Sequence, residues 1–185
     1  FNIRLIYHVW FLFRLMDTLS YGPFFDAFLA ELGGGRAVFV GLVETVNSGT
    51  QVAVALPLGI WADRWKRAAV MQANALLGFV ACSIYVPAIL CESRPGVIIA
   101  VAIYAVYNRS YGGTMDVMIA DAVTSDTSTK VSQRKAQIGV LGVCLAPLLQ
   151  MGFVILGSSR DGSCSEWSFT QLRSLVLSGW LTFLV

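Results

Sequence analysis

Two apolar stretches, Val38–Trp61 and Ala69–Leu90, lie on either side of a hairpin only a few residues long. Each is long enough to cross a bilayer, because about 20 apolar residues at ~1.5 Å rise span a hydrocarbon core of ~30 Å. Lipid-exposed backbone must bond internally, so runs of this length are expected as helices. None shows the strict alternation of a barrel strand. The same reading along the chain gives an all-α fold, a polytopic membrane helix bundle of six transmembrane helices. The expected spans are Leu5–Phe28, Val38–Trp61, Ala69–Leu90, Gly96–Ala120, Ala136–Leu156 and a sixth from Leu172 to Val185 or beyond. Pro57, Pro87 and Pro147 fall inside runs, where bundled membrane helices tolerate kinks. With 13% of residues charged and 56% hydrophobic, the chain departs from soluble domains, in which about a quarter are charged. The expected surroundings are therefore the lipid bilayer, and a net charge of +2 gives no ground for a nucleic-acid partner.

Basic residues orient the spans. Arg4, Arg64, Lys66, Arg67, Lys130, Arg134 and Lys135 fall on one side and Arg36, Arg94, Arg160 and Arg173 on the other. The excess places the N-terminus and the Asp63 hairpin in the cytosol. Cys82 and Cys144 lie within spans and read as small apolar residues, while Cys91 and Cys164 share the outer side, where a disulfide is chemically allowed.

Charge inside the spans is the anomaly. Arg14 and Asp17 lie in the first, Glu44 in the second, Arg109 and Asp116 in the fourth. Each costs about 2.5–3.5 kcal/mol at the centre of an isolated lipid-facing helix, so these groups must pair or meet water. Arg14 and Asp17 are three apart and share a face with Tyr7 and Tyr21. Glu44, Asn47, Ser48, Gln51 and Ala55 repeat the spacing, as do Arg109, Gly112, Gly113 and Asp116, with Tyr104, Tyr107 and Tyr111 beside them. Three polar-faced helices beside apolar ones suit a water-filled pathway. An unpaired arginine there holds a carboxylate or phosphate through its planar donor fork, whereas a raised-pKa Asp17 or Glu44 carries a proton. The competing reading is mutual neutralisation within the bundle.

The hairpin Gly59–Ala68 reads G-I-W-A-D-R-W-K-R-A. It resembles the loop between the second and third spans of the major facilitator superfamily (MFS) of transporters, whose pattern runs Gly-x-Leu-x-Asp-Arg-x-Gly-Arg-basic. Gly59, Asp63, Arg64 and Arg67 match it, while Trp61, Lys66 and Ala68 replace the Leu, the second Gly and the last basic residue. Tyr107–Gly112 looks, more loosely, like the family's fourth-helix arginine signature. Gly139, Gly142, Ala146 and Pro147 are too far from the antiporter motif to imply antiport, and close helix packing explains them better.

The resemblance implies that residues 1–185 are an N-terminal transmembrane half whose C-terminal six-helix half is missing. Phe1 in place of an initiator Met, and an end at Val185 inside an apolar run, favour a fragment. It further implies alternating access to a small-molecule substrate, with the first and fourth helices lining the cavity. Arg67 would meet Asp121 on the cytosolic side, and Asp63 a helix N-terminus of the missing half. The alternative is a non-transporting membrane subunit or assembly factor. No protease or hydrolase motif is present, so no enzyme, cofactor or metal site is expected.

Overall fold

The structure, a computed structural model, describes residues 3–123, 125–158 and 169–182. Among them run seven α-helices and no strand: α1 (Ile3–Ser20), α2 (Pro23–Leu32), α3 (Ala37–Arg64), α4 (Arg67–Leu90), α5 (Arg94–Ala122), α6 (Ser125–Ser158) and α7 (Phe169–Thr182). Three stretches, Ala37–Ala62, Arg67–Leu90 and Ser128–Gly152, are long and apolar enough to cross a membrane. The all-α expectation therefore holds for the described residues, together with three of the candidate spans.

Two elements differ from the sequence reading. The first run is broken after Ser20 and restarts at Pro23. Proline suits a first helical turn, where its missing N–H is no loss, and a Cβ at Gly22 would overlap the carbonyl oxygen of Thr18. The second difference is the connector Asp121–Lys135, left between the expected spans Gly96–Ala120 and Ala136–Leu156, because α6 is already helical from Ser125. No Gly or Pro interrupts residues 125–135, and the polar turns dock on α1. The Tyr7 hydroxyl donates to the Val131 carbonyl at 3.4 Å, and the Lys135 ammonium sits 3.9 Å from the Trp10 ring centroid. A cation over an indole face in a desolvated place is worth up to about 2 kcal/mol, which holds a polar helical extension that propensity alone would leave frayed.

The chain forms two compact units. Leu32–Ser128 holds α3, α4 and α5, with α5 packed against both of the others. Its buried positions, Val97, Ala100, Val101, Tyr104, Ala105, Tyr107, Ser110, Tyr111 and Thr114, recur every three to four residues, the spacing of one helical face. The Ser93 hydroxyl accepts from the Gly96 N–H at 3.3 Å and starts α5, helped by Pro95 in its first turn. Between α4 and α5 the buried Asn74 amide donates to Thr114 Oγ1 at 3.3 Å, and that hydroxyl donates to the Ser110 carbonyl at 2.8 Å.

Phe1–Glu31 with Thr129–Val185 forms the other unit. Here α1 packs on α7, and α6 approaches α1 at Gly142, where a Cβ would stand 3.0 Å from the Phe11 carbonyl oxygen and 3.1 Å from the Leu15 nitrogen. Both neighbours are backbone, which cannot turn aside. Gly142→Val is therefore expected to destabilise the protein by about 1–3 kcal/mol through overpacking, read as a lower melting temperature in detergent. An unchanged melting temperature would show that α1 and α6 do not meet at this point.

Candidate functional site

The hairpin is tighter than the sequence suggested. Helix α3 runs to Arg64 and α4 begins at Arg67, so only Trp65 and Lys66 connect them. Both are extended, Trp65 at φ −104°, ψ 156° and Lys66 at φ −62°, ψ 132°. A lysine fits there without strain, so the glycine of the family pattern is not needed for the turn. Arg64, Trp65 and Lys66 are exposed, and Gly59 lies within α3 with open space where a Cβ would stand. The backbone of Asp63 belongs to α3, and its side chain lies outside the described residues.

Arg67 is the fulcrum of the hairpin. Its Nε donates to Asp121 Oδ2 at 3.0 Å, and one terminal nitrogen donates to the Ala62 carbonyl at 2.5 Å. One guanidinium therefore binds the last turn of α3 and the last turn of α5 from the first residue of α4. An exposed ion pair of this kind contributes about 0–1 kcal/mol, enough to bias a conformation and weak enough to break. Asp121 is 57% exposed at its side chain, which puts this pair in that class.

The arginines of α1 and α5, in two of the expected spans, differ. Arg14 donates to Asp17 Oδ2 at 2.8 Å, the i, i+3 pairing expected of a shared face, with Asp17 only 12% exposed at its side chain. Arg109 is exposed on α5, and among the described residues it makes no hydrogen bond or ion pair. A guanidinium at mid-helix with no protein partner requires water or an anion, since hydrocarbon would impose the full transfer cost. On the same helix Tyr104, Tyr107 and Tyr111 are buried, with ring centroids 5.9 Å and 5.8 Å apart along the row. Asp116, about two turns beyond Arg109, is exposed.

On α3 the expected polar stripe is present as a stripe. The Gln51 amide donates to Asn47 Oδ1 at 3.0 Å, so these two are occupied with each other. Glu44 is half-buried and has no hydrogen bond or ion pair among the described residues. Beside it an open recess of about 630 Å³ is lined by Glu44, Thr45, Ser48, Gly49, Val52 and Ala53. Arg14 and Asp17 belong to one compact unit, and Glu44, Asn47, Gln51, Arg109, Tyr111 and Asp116 to the other.

Sequence reasoning missed Gln150, whose amide donates to the Leu19 carbonyl at 2.9 Å, and the Asn74–Thr114 pair. Polar residues with one role each in an apolar helix carry no periodic signal. Cys91 is exposed, and Cys164, its candidate disulfide partner, lies outside the described residues. Among the described residues no group of three or more His, Cys, Asp or Glu is placed to hold a metal.

No protein-family model matches this chain. No solved structure matches it either. Over 145 residues it is 25% identical to a protein of Buchnera aphidicola subsp. Schizaphis graminum described as an uncharacterized transporter. The aligned part is 78% of this chain and 34% of that protein, so the chain spans about a third of the length of the curated relative it matches.

Proposed function

We propose that this chain is the N-terminal part of a secondary transporter of the major facilitator type, moving a small anionic solute by alternating access. The observation that carries the reading is Arg67, which ties the ends of α3 and α5 together across a two-residue hairpin. An alternating-access protein needs a contact on one side of the membrane that forms in one state and parts in the other. A weak, solvent-exposed ion pair at the end of long apolar helices suits that demand better than it suits stability. The distant relative described as a transporter supports the class. Arg109, without a protein partner among the described residues, supports an anionic substrate. Residues 1–185 then act as the first six-helix half, with the N-terminus and the Asp63 hairpin cytosolic. Asp63 faces the positive end of a helix in the second half, and no enzymatic step is involved.

The test is uptake by the natural full-length protein in proteoliposomes. Asp63→Asn is expected to insert normally, since Arg64, Lys66 and Arg67 still direct topology, and to lower uptake. Undiminished uptake by a well-expressed Asp63→Asn variant would reject the gating role of the hairpin. Absence of uptake of any small anion by the wild-type protein would reject the transport reading itself.

A further inference from the structure

The break between α1 and α2 falls inside an apolar run, where a helix that loses a backbone bond has no water to replace it. Pro23 has no N–H, and its counterpart four residues earlier is the Leu19 carbonyl. That carbonyl is instead met by the side chain of Gln150, whose Nε2 donates to it at 2.9 Å from α6. Gln150 is 3% exposed, so the bond is shielded from competing water. Gly22 lets the chain turn where a Cβ would strike the Thr18 carbonyl. The next turn then starts afresh, with the Phe25 and Asp26 N–H groups both donating to the Gly22 carbonyl at 2.8 and 3.3 Å. Thr18 adds a bend of its own by donating its hydroxyl to the Arg14 carbonyl at 3.0 Å.

We infer that Tyr21–Gly22 is a hinge on which α2 turns, and that Gln150 is the positioning residue that straps it in the bent state through the Leu19 carbonyl. Two observations show that this state leaves the break incompletely satisfied. Among the described residues, the hydroxyl of Ser20, fully buried, and Oε1 of Gln150 make no hydrogen bond. Buried oxygens left in this way favour a second arrangement in which they find partners. Ser20 has one within reach, because a helical serine bonds readily to the carbonyl four residues before it, here that of Met16. The strap itself is independent of function. Its use, turning α2 during a transport cycle, rests on the transport reading above.

The experiment uses the purified full-length protein without substrate, so a failure of the transport reading leaves it intact. Gln150→Leu removes the donor and keeps the apolar bulk, and Pro23→Ala returns an N–H to position 23. If Gln150 serves the carbonyl, Gln150→Leu lowers the melting temperature by a few degrees in the wild-type background and much less in the Pro23→Ala background. Equal losses in both backgrounds overturn the strap. If Gln150→Leu alone does not fold, recovery of folded protein on adding Pro23→Ala supports it, and failure of both overturns it. The hinge is read by a water-soluble maleimide on a cysteine replacing Leu29, fully buried on α2, with the native cysteines removed. Loss of the strap is expected to speed labelling roughly fivefold, the change that losing one hydrogen bond gives to local opening. An unchanged rate overturns the hinge. Where the wild type transports, Gln150→Leu should also lower uptake, with Pro23→Ala restoring part of it.

Discussion

Arg109→Gln is expected to weaken binding of an anionic substrate by about ten- to a hundredfold, because a hydrogen bond to a charged group is worth about 1.5–3 kcal/mol and each 1.4 kcal/mol is a factor of ten. The melting temperature of the protein should stay where it was, since among the described residues the guanidinium holds nothing in place. Arg14→Gln makes the opposite prediction. Its partner Asp17 is nearly buried, at 12% side-chain exposure, and would be left without its 2.8 Å cation. Removing one member of a buried pair costs about 3–5 kcal/mol, and Arg14's own 33% exposure moderates that toward the lower end. Binding measured by calorimetry, beside thermal melting of both variants, separates the two arginines. If Arg109→Gln lowers the melting temperature and leaves binding alone, this arginine is a structural group and the anion reading of α5 fails.

Reversing one charge of the hairpin pair should have the other large effect. Arg67→Asp sets a carboxylate beside Asp121 and leaves the Ala62 carbonyl without its donor. Repulsion of that kind favours whichever state holds the ends of α3, α4 and α5 apart. A bias of about 1.4 kcal/mol already shifts such an equilibrium tenfold. Uptake should fall on that order, with little change in stability, because the exposed pair contributes only about 0–1 kcal/mol to folding. Adding Asp121→Arg restores the attraction across the gap, though not the bond to Ala62, so transport should recover in part. Full activity of Arg67→Asp would show that the pair has no bearing on the cycle, and no recovery in the swapped variant would show that Arg67 acts through Ala62 alone.

Length, period and charge are the properties that can be read along the chain without its fold. Runs such as Val38–Trp61 and Ala69–Leu90 can satisfy their backbone in lipid only as helices, and the helices observed, Ala37–Arg64 and Arg67–Leu90, exceed them by a few residues at most. The Arg14–Asp17 pairing follows from three-residue spacing, a local property of any helix. A family pattern pairs Arg67 with Asp121, and the structure joins them across 54 positions of the chain. Other features needed the fold, because their causes lie far apart in sequence. Pro23 announces a lost bond, yet only packing shows that Gln150, 131 residues beyond Leu19, replaces it. Residues 125–135 fall between two expected spans, and their helix is explained only when Trp10 and Tyr7 are seen against Lys135 and Val131. Arg14 and Arg109 are the same residue type in comparable runs. Among the described residues, only the placement of an acid beside the first and none beside the second tells them apart. A local rule fixes which face a side chain takes; whether a partner waits there is decided by neighbours that the chain brings from elsewhere.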